Sequence, residues 1–453
     1  MIISQDTIGA AMAGPGIRYY HFACVLAREF PVVLAVPAAS TLQPDQAFEL
    51  LRYAGDTDPA LAAMVGQARA VVISSDAVPR IPELARAGVP VAVDGYDPIQ
   101  PETFYLFEGE AANRVAHLTT AYLLGDFFFC ASERQRDWWL GLLEANGRVN
   151  SATFEDDPTF RRLVDVVPFG MAAEAPVATR RVVKGVWPGI GADDKVLLWG
   201  GGLWPWLDPL TAVRAVARLQ DQRSDLRLLF PGTRHPNPRM AETRTHTEAA
   251  RQLAAELGLL DKAVFFGDWI PYQDWVNVLL ESDVALTLHP RDTLESRLAF
   301  RSRVLDYIWA GLPTVAARGD VTADLVAAYD VGVIVTPEAV DEVAAAVLRL
   351  LAEPRESWQP RFAAARQAMN WETVVRPLAE FCRQPRLAPD KLAYGSGVGN
   401  PYYLERLNSL ERAAGDLRQQ VRTYQASRAL RWLRKLDPLV LRVGWLRRRL
   451  QHN

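Results

Sequence analysis

The densest set of groups able to do chemistry lies in HPRDTLESRLAFRSRVLDYIWAGLPTVAARGD, residues 289–320. Within seven residues it places Arg297, Arg301 and Arg303, and beside them stand the acids Asp292, Glu295 and Asp306. Planar guanidinium forks suit the paired oxygens of a diphosphate, and ionised carboxylates accept from sugar hydroxyls. Mixed charges also pair with one another at surfaces, so position in the fold must decide between the two readings. Glycines supply a second class of candidate. Gly200, Gly201 and Gly202 follow KVLLW directly, where a phosphate can reach main-chain N–H groups. Gly14 and Gly16, in AGPGIR, precede a helical stretch whose free N–H groups would aim at an anion. Neither stretch has the spacing of a dinucleotide fingerprint or a P-loop, and tight turns or close strand-to-helix packing are the alternative account of these glycines.

In VAVDGYDP, Asp94 ends an apolar run and would face a cleft, whereas Asp97 precedes Pro98 and reads equally as a turn residue. His117, within AANRVAHLTTAYLL, is a lone histidine on a helical stretch, a setting that is more often structural than catalytic. No metal or other cofactor is expected. Cys24, Cys130 and Cys382 are far apart and lack zinc spacing, and the DTD at 56–58 sits in a turn-like stretch distant from the basic segment.

The elements that must position these groups alternate. Apolar runs at Val32 to Val36, Ala70 to Ser74, Pro90 to Asp94, Asp126 to Cys130 and Leu163 to Pro168 are separated by segments of helical spacing. After residues 171–194, which are rich in Pro and Gly and read as a linker, a second series begins: KVLLWGGG, LRLLFPG, AVFFGDW, DVALTLH and PTVAARG. Strands buried on both faces and spaced by helices make a parallel sheet, so the expectation is an α/β protein of two Rossmann-like lobes, residues 1–170 and 195–370, facing a cleft. A helix at 371–385 would cross back toward the first lobe. Ligands then gather at the carboxyl ends of the strands, where the candidate residues lie.

A family resemblance follows from several of these pieces in order. RVLDYIWAGLPTVA resembles the segment of family 4 glycosyltransferases in which a basic residue, an acidic residue and AGLP precede a buried strand. GPGIRYYHFACVLA is similar to that family's amino-terminal glycine loop and helix, VVPFGM to its passage before the linker, and VFFGDWIPYQDWVNVLLESDVAL to the region before its donor site. The resemblance spans about residues 1 to 382. It implies a GT-B fold and a retaining transfer of sugar from a nucleotide-sugar donor to a glycan or lipid-linked acceptor, as in cell-surface polysaccharide synthesis. By position Asp306 takes the ribose-gripping role and Arg303 the neighbouring basic one. The base would lie near Gly232 to His235 and Gly267 to Trp269, making Trp269 a donor-binding residue. Asp94 becomes the first-lobe residue touching sugar or acceptor. Two features depart from the family: Leu298 stands where its first Glu is expected, leaving Glu295 as the nearest substitute, and Gly and Trp replace its Arg/Lys pair after Gly202.

A net charge of -3 conceals an uneven distribution. Residues 427–453 carry seven Arg and one Lys against Asp437 alone, interleaved with Trp432, Trp445 and nine Leu and Val residues. Such a tail suits an anionic membrane surface, giving a cytoplasmic protein peripheral on the inner face of the plasma membrane; no nucleic-acid reader accompanies the charge. Between the body and that tail, within a region 386–453, Tyr403, Leu407, Leu410, Ala414, Leu417, Val421 and Tyr424 keep coiled-coil spacing, which fits either self-association or one docked helix. Two rival functions are kept: a nucleotide-sugar 2-epimerase of the same fold, and a non-catalytic partner or scaffold subunit.

Overall fold

A computed structural model describes residues 1–43, 47–106, 111–234, 245–291, 293–395, 409, 413–421 and 423. The chain divides into one unit of residues Met1–Ala393 and a second of Tyr394–Asn453. In the second unit residues 413–421 are helical. Most of the proposed seam and all of the basic tail, 427–453, lie outside the described residues.

Two parallel sheets form the first unit. One contains β1 (Ile2–Ile3), β2 (Val33–Pro37), β3 (Glu49–Tyr53), β4 (Val71–Ser74), β5 (Val91–Asp94), β6 (Phe127–Cys130) and β7 (Val164–Val166), in the order β3-β2-β1-β4-β5-β6-β7. The other contains β8 (Lys195–Leu198), β9 (Leu226–Phe230), β10 (Val264–Phe266), β11 (Val284–Thr287), β12 (Thr314–Ala317) and β13 (Gly332–Val335), in the order β10-β9-β8-β11-β12-β13. Central strands such as β5, β6, β11 and β12 are buried along their whole length, because helices cover both faces. The expected two-lobed α/β fold is therefore present. In each sheet the strand order reverses beside the first strand, at β1/β4 and at β8/β11, which is where an open α/β sheet leaves a crevice at its carboxyl edge.

Local chemistry starts the helices that frame those crevices. Pro15 stands at the opening of helix Gly14–Leu26, where its missing N–H has no helical partner to lose. Asp208 and Asp320 cap helices Pro209–Leu219 and Val321–Ala328 by accepting from Thr211 N and Ala323 N. Residues 171–194 have little regular structure but are held down: Glu281 accepts from Val182, Val183 and Lys184 N, and Asn277 from Thr179 N.

The chain then returns to the first lobe. Trp371 stacks on His21 with centroids 4.7 Å apart, and a Cβ on Gly170 would come within 2.7 Å of its ring, so that glycine is required for the approach. Phe381 stacks on Phe127 at 5.2 Å. Farther on, Asp390 meets Arg148 at 2.6 and 3.2 Å, with both side chains wholly buried, and Lys391 Nζ lies 2.7 Å from Asp126.

Across the lobes, Tyr96 Oη donates to Phe300 O at 2.7 Å, Gln135 Nε2 to Leu298 O at 2.8 Å, and Tyr272 N to Ala10 O at 2.9 Å. Leu298, where an acid is expected, thus contributes its carbonyl to lobe docking.

Candidate active site

The facing carboxyl edges enclose a cleft of about 660 Å³. Its lobe 2 wall is built on the loop after β8. Gly200 N donates to Tyr307 Oη at 2.7 Å, and a Cβ there would sit 2.9 Å from that oxygen and 3.0 Å from Trp275, so only glycine brings the backbone this close. Gly201 has φ +82°, a left-handed conformation that glycine adopts without strain. Beside this loop, helix Ser302–Trp309 presents Arg303 and Asp306 to the cleft.

Arg303 Nη2 donates to Gly202 O at 3.0 Å, and its guanidinium lies 5.7 Å from the Trp199 ring centre. Its Nη1 is buried and meets no acceptor among the described residues. Burial, with Arg301 adding a like charge, lowers its pKa to about 10 against the weaker pull of Tyr307 and Asp306. A half-buried cation lacking a directly bonded counter-ion is prepared for an anion. Asp306 accepts from Trp275 Nε1 at 2.9 Å, and burial raises its pKa to about 6 in spite of that bond and of Arg303. Trp269 packs over Gly232, whose Cβ would meet its ring at 3.4 Å, and both line the cleft. His235 lies outside the described residues.

Other candidates are placed differently. Arg297 is exposed on the short helix Leu294–Leu298 and does not line the cleft. Glu295 is 1% exposed, and its two oxygens take Arg301 Nη1 and Nη2 at 2.6 and 2.8 Å. Arg301 reaches the cleft wall, but its charge is satisfied by this pair, with Asp320 3.6 Å from Nε. These two residues brace the loop that delivers Arg303. Asp292 lies outside the described residues. Gly16 serves packing, since a Cβ would meet Thr7 O at 2.7 Å, while Gly14 faces Ser302 of the other lobe at 3.3 Å.

The lobe 1 wall centres on Asp94, which sequence reasoning found without its partner. Arg18, on helix Gly14–Leu26, binds it bidentately at 2.8 and 3.2 Å and donates also to Val167 O and Pro168 O. Both side chains are buried. Asp94 therefore ties the helix to β5 and to the end of lobe 1, and its oxygens are occupied. Asp97 instead is exposed where it lines the cleft, and partial desolvation with the fields of Asp94 and Asp76 raises its pKa above the usual carboxylate range. His117 is half-buried and lies outside the cleft.

Asp58 of the DTD caps helix Pro59–Gln67 through Ala60 N, and Asp56 pairs with Arg80 at 3.1 Å. Among the described residues no group of three His, Cys, Asp or Glu is arranged to hold a metal ion, and no helix is long and apolar enough to cross a membrane.

Residues 188–367 match the family model described as "Glycosyl transferases group 1". A search of curated proteins finds no match. Among solved structures, the sucrose-phosphate synthase tll1590 of Thermosynechococcus elongatus is similar with a TM-score of 0.62 at 15% identity, covering 84% of this chain and 98% of that one. Anabaena Alr3699/HepE in complex with UDP-glucose gives 0.62 at 14%, and WaaG, a glycosyltransferase involved in lipopolysaccharide biosynthesis, 0.60 at 14%, each with the same coverage. At such identities the likeness speaks for the fold, and the family match for the second lobe. Residues 188–367 thus constitute a glycosyltransferase group 1 domain, and the chain is a glycosyltransferase of the two-lobed GT-B fold.

Proposed function

We propose that the enzyme transfers a sugar, with retention of anomeric configuration, from a nucleoside-diphosphate donor held on lobe 2 to a glycan or lipid-linked acceptor offered by lobe 1. The observation that carries this reading is Arg303, a half-buried side chain whose Nη1 is buried and unused among the described residues, set between the Gly201 turn and the carboxylate of Asp306. A leaving diphosphate gains charge as the sugar bond breaks, so a cation fixed at that position favours the transition state over the ground state. Asp306, steadied by Trp275, offers acceptor oxygens to a ribose diol, and Trp269 an aromatic face to the base. Retention is supported by the family 4 resemblance; Asp94, with both oxygens on Arg18, is not free to attack the anomeric carbon, so the transfer is not routed through a covalent intermediate on that residue. The group 1 domain is compatible with this finer assignment.

Attachment to anionic membrane, with a role in cell-surface polysaccharide synthesis, rests on the composition of residues 427–453. Deleting them should release the protein from anionic vesicles and leave donor binding intact.

A thermal-shift panel of UDP-, GDP- and ADP-sugars tests the donor assignment, because a ligand of the folded state raises its stability. Product formed with the donor that binds should keep the donor's anomeric configuration by NMR. A panel with no shift refutes nucleotide-sugar binding, and an inverted product refutes retention.

A further inference from the structure

The cleft is electrically divided. Its lobe 2 side holds Arg303, which has no ion-pair partner among the described residues, whereas lobe 1 lines it with Asp76, Asp94 and Asp97 and with a hydroxyl that no described group uses. Tyr19, on the cleft-facing part of helix Gly14–Leu26, is only 4% exposed, and its Oη meets no hydrogen-bond partner among the described residues. The charges acting on it are Asp94, then Arg18 with the opposite sign, then Asp76 and Asp97, so the balance is negative. Two of these carboxylates are committed: Asp94 to Arg18, and Asp76 to Arg80 Nη1 at 3.0 Å. Arg80 is itself held between Asp76, Asp56 and Gln5, so it has little left to give a ligand. Asp97 faces the same cavity and forms no ion pair or hydrogen bond with a described residue.

The buried, unused Tyr19 hydroxyl is costly unless a ligand completes it, and Asp97, exposed where it lines the same cleft, adds a solvated carboxylate without a protein partner among the described residues. Both accept hydrogen bonds, and the surrounding excess of negative charge favours ligands that donate and repels those that are anionic. Resting on the glycosyl-transfer reading above, we propose that Tyr19 and Asp97 form the acceptor subsite, and that it takes a sugar ring presenting hydroxyl or ammonium donors while rejecting phosphorylated or carboxylated rings. The division of charge also keeps the substrates apart: an anionic acceptor would be drawn to Arg303, where the donor diphosphate belongs.

Saturation-transfer NMR on the full chain with UDP bound, using glucose, glucosamine and glucose 6-phosphate as probes, tests this. Glucose or glucosamine should bind at least tenfold more tightly than the phosphate, and the stronger of the two identifies the donor group. Tyr19→Phe and Asp97→Asn should each weaken that binding several-fold, with UDP affinity unchanged as the check on folding. Asp97→Asn should also narrow the discrimination against phosphate. Equal or tighter binding of glucose 6-phosphate overturns the proposal, as does indifference of sugar binding to both variants or silence of all three sugars while UDP binds. Where the thermal-shift panel selects GDP or ADP, that nucleotide takes the place of UDP; failure of all three nucleotides to bind is a different result, and sinks the donor assignment.

Discussion

Replacing Arg303 by Met should make the free protein somewhat more stable and the nucleotide much weaker. The side chain keeps similar length but loses its charge. Holding a guanidinium at a pKa of about 10 rather than in the ordinary arginine range corresponds to about 3 kcal/mol at neutral pH, taking about 1.4 kcal/mol per tenfold. Cleft water relieves part of this, since the residue is only half-buried. Against it stand the bond to Gly202 O and the contact with the Trp199 ring, about 1 kcal/mol each. The net expectation is a gain of up to about 1 kcal/mol, or roughly 1 °C in Tm for a cooperative unit of this size. A charge-assisted bond to phosphate is worth about 1.5–3 kcal/mol, so UDP affinity by calorimetry should fall roughly 10- to 100-fold. Opposite movement of the two quantities marks a group selected for a ligand. Unchanged UDP affinity, or a Tm several degrees lower, would refute the reasoning and make Arg303 a structural residue.

Asp306 titrates near 6 in the free protein, so UDP affinity should fall as pH drops through 6, and Asp306→Asn should bind weakly with a flatter profile. Its raised pKa also means that the folded state binds more protons than the unfolded one. The cost of the charge therefore appears as pH rises from about 4 to 6, and over that window the Asn variant should gain stability relative to the wild type; parallel pH profiles would exclude both effects. Glu295→Gln strips half of a buried bidentate pair, and Tm should drop by an amount equivalent to about 3 kcal/mol. Lost turnover at unchanged Tm would place Glu295 in the chemistry instead. Gly201→Ala forces a side chain into φ +82°, at a cost of about 1–2 kcal/mol, and the displaced loop should weaken UDP several-fold. If both quantities stay put, the turn is not strained.

The central strands could be read from the chain because they are buried on both faces and appear as unbroken apolar runs. Those not anticipated, β3 and β13, are the outer strands of their sheets, with the half-exposed patterns of ELLRY and GVIV. In β3 partial cover admits Glu49 and Arg52, and the apolar run loses its contrast; β13 stays apolar but is only four residues long and opens on a glycine. In the site, Arg303 and Asp306 could be located because one short helix presents both. Glu295 and Arg301 could not be recognised as partners: they are joined across the end of a helix, and no helical spacing gives six residues. Nor does any local pattern link Arg18 to Asp94, 76 residues away, or Trp275 to Asp306. Partners brought together by sheet topology leave no spacing to read, and that is why one carboxylate locked in a salt bridge looked available while Tyr19 and Asp97 drew little notice.

The Arg148–Asp390 pair has a consequence for synthesis on the ribosome. The two residues are 242 positions apart, and the second arrives only after the whole of lobe 2 has been made. At about 5–20 residues per second, Arg148 waits roughly 10–50 s for its counter-ion. During that interval the guanidinium must stay hydrated or remain on the carbonyls of Tyr122, Leu123 and Gly125, so the early-made half of the protein cannot seal its own interior. A nascent chain stalled before residue 390 should accordingly expose lobe 1 to protease, while the finished chain protects it. The enzyme is translated from one end and locked from the other.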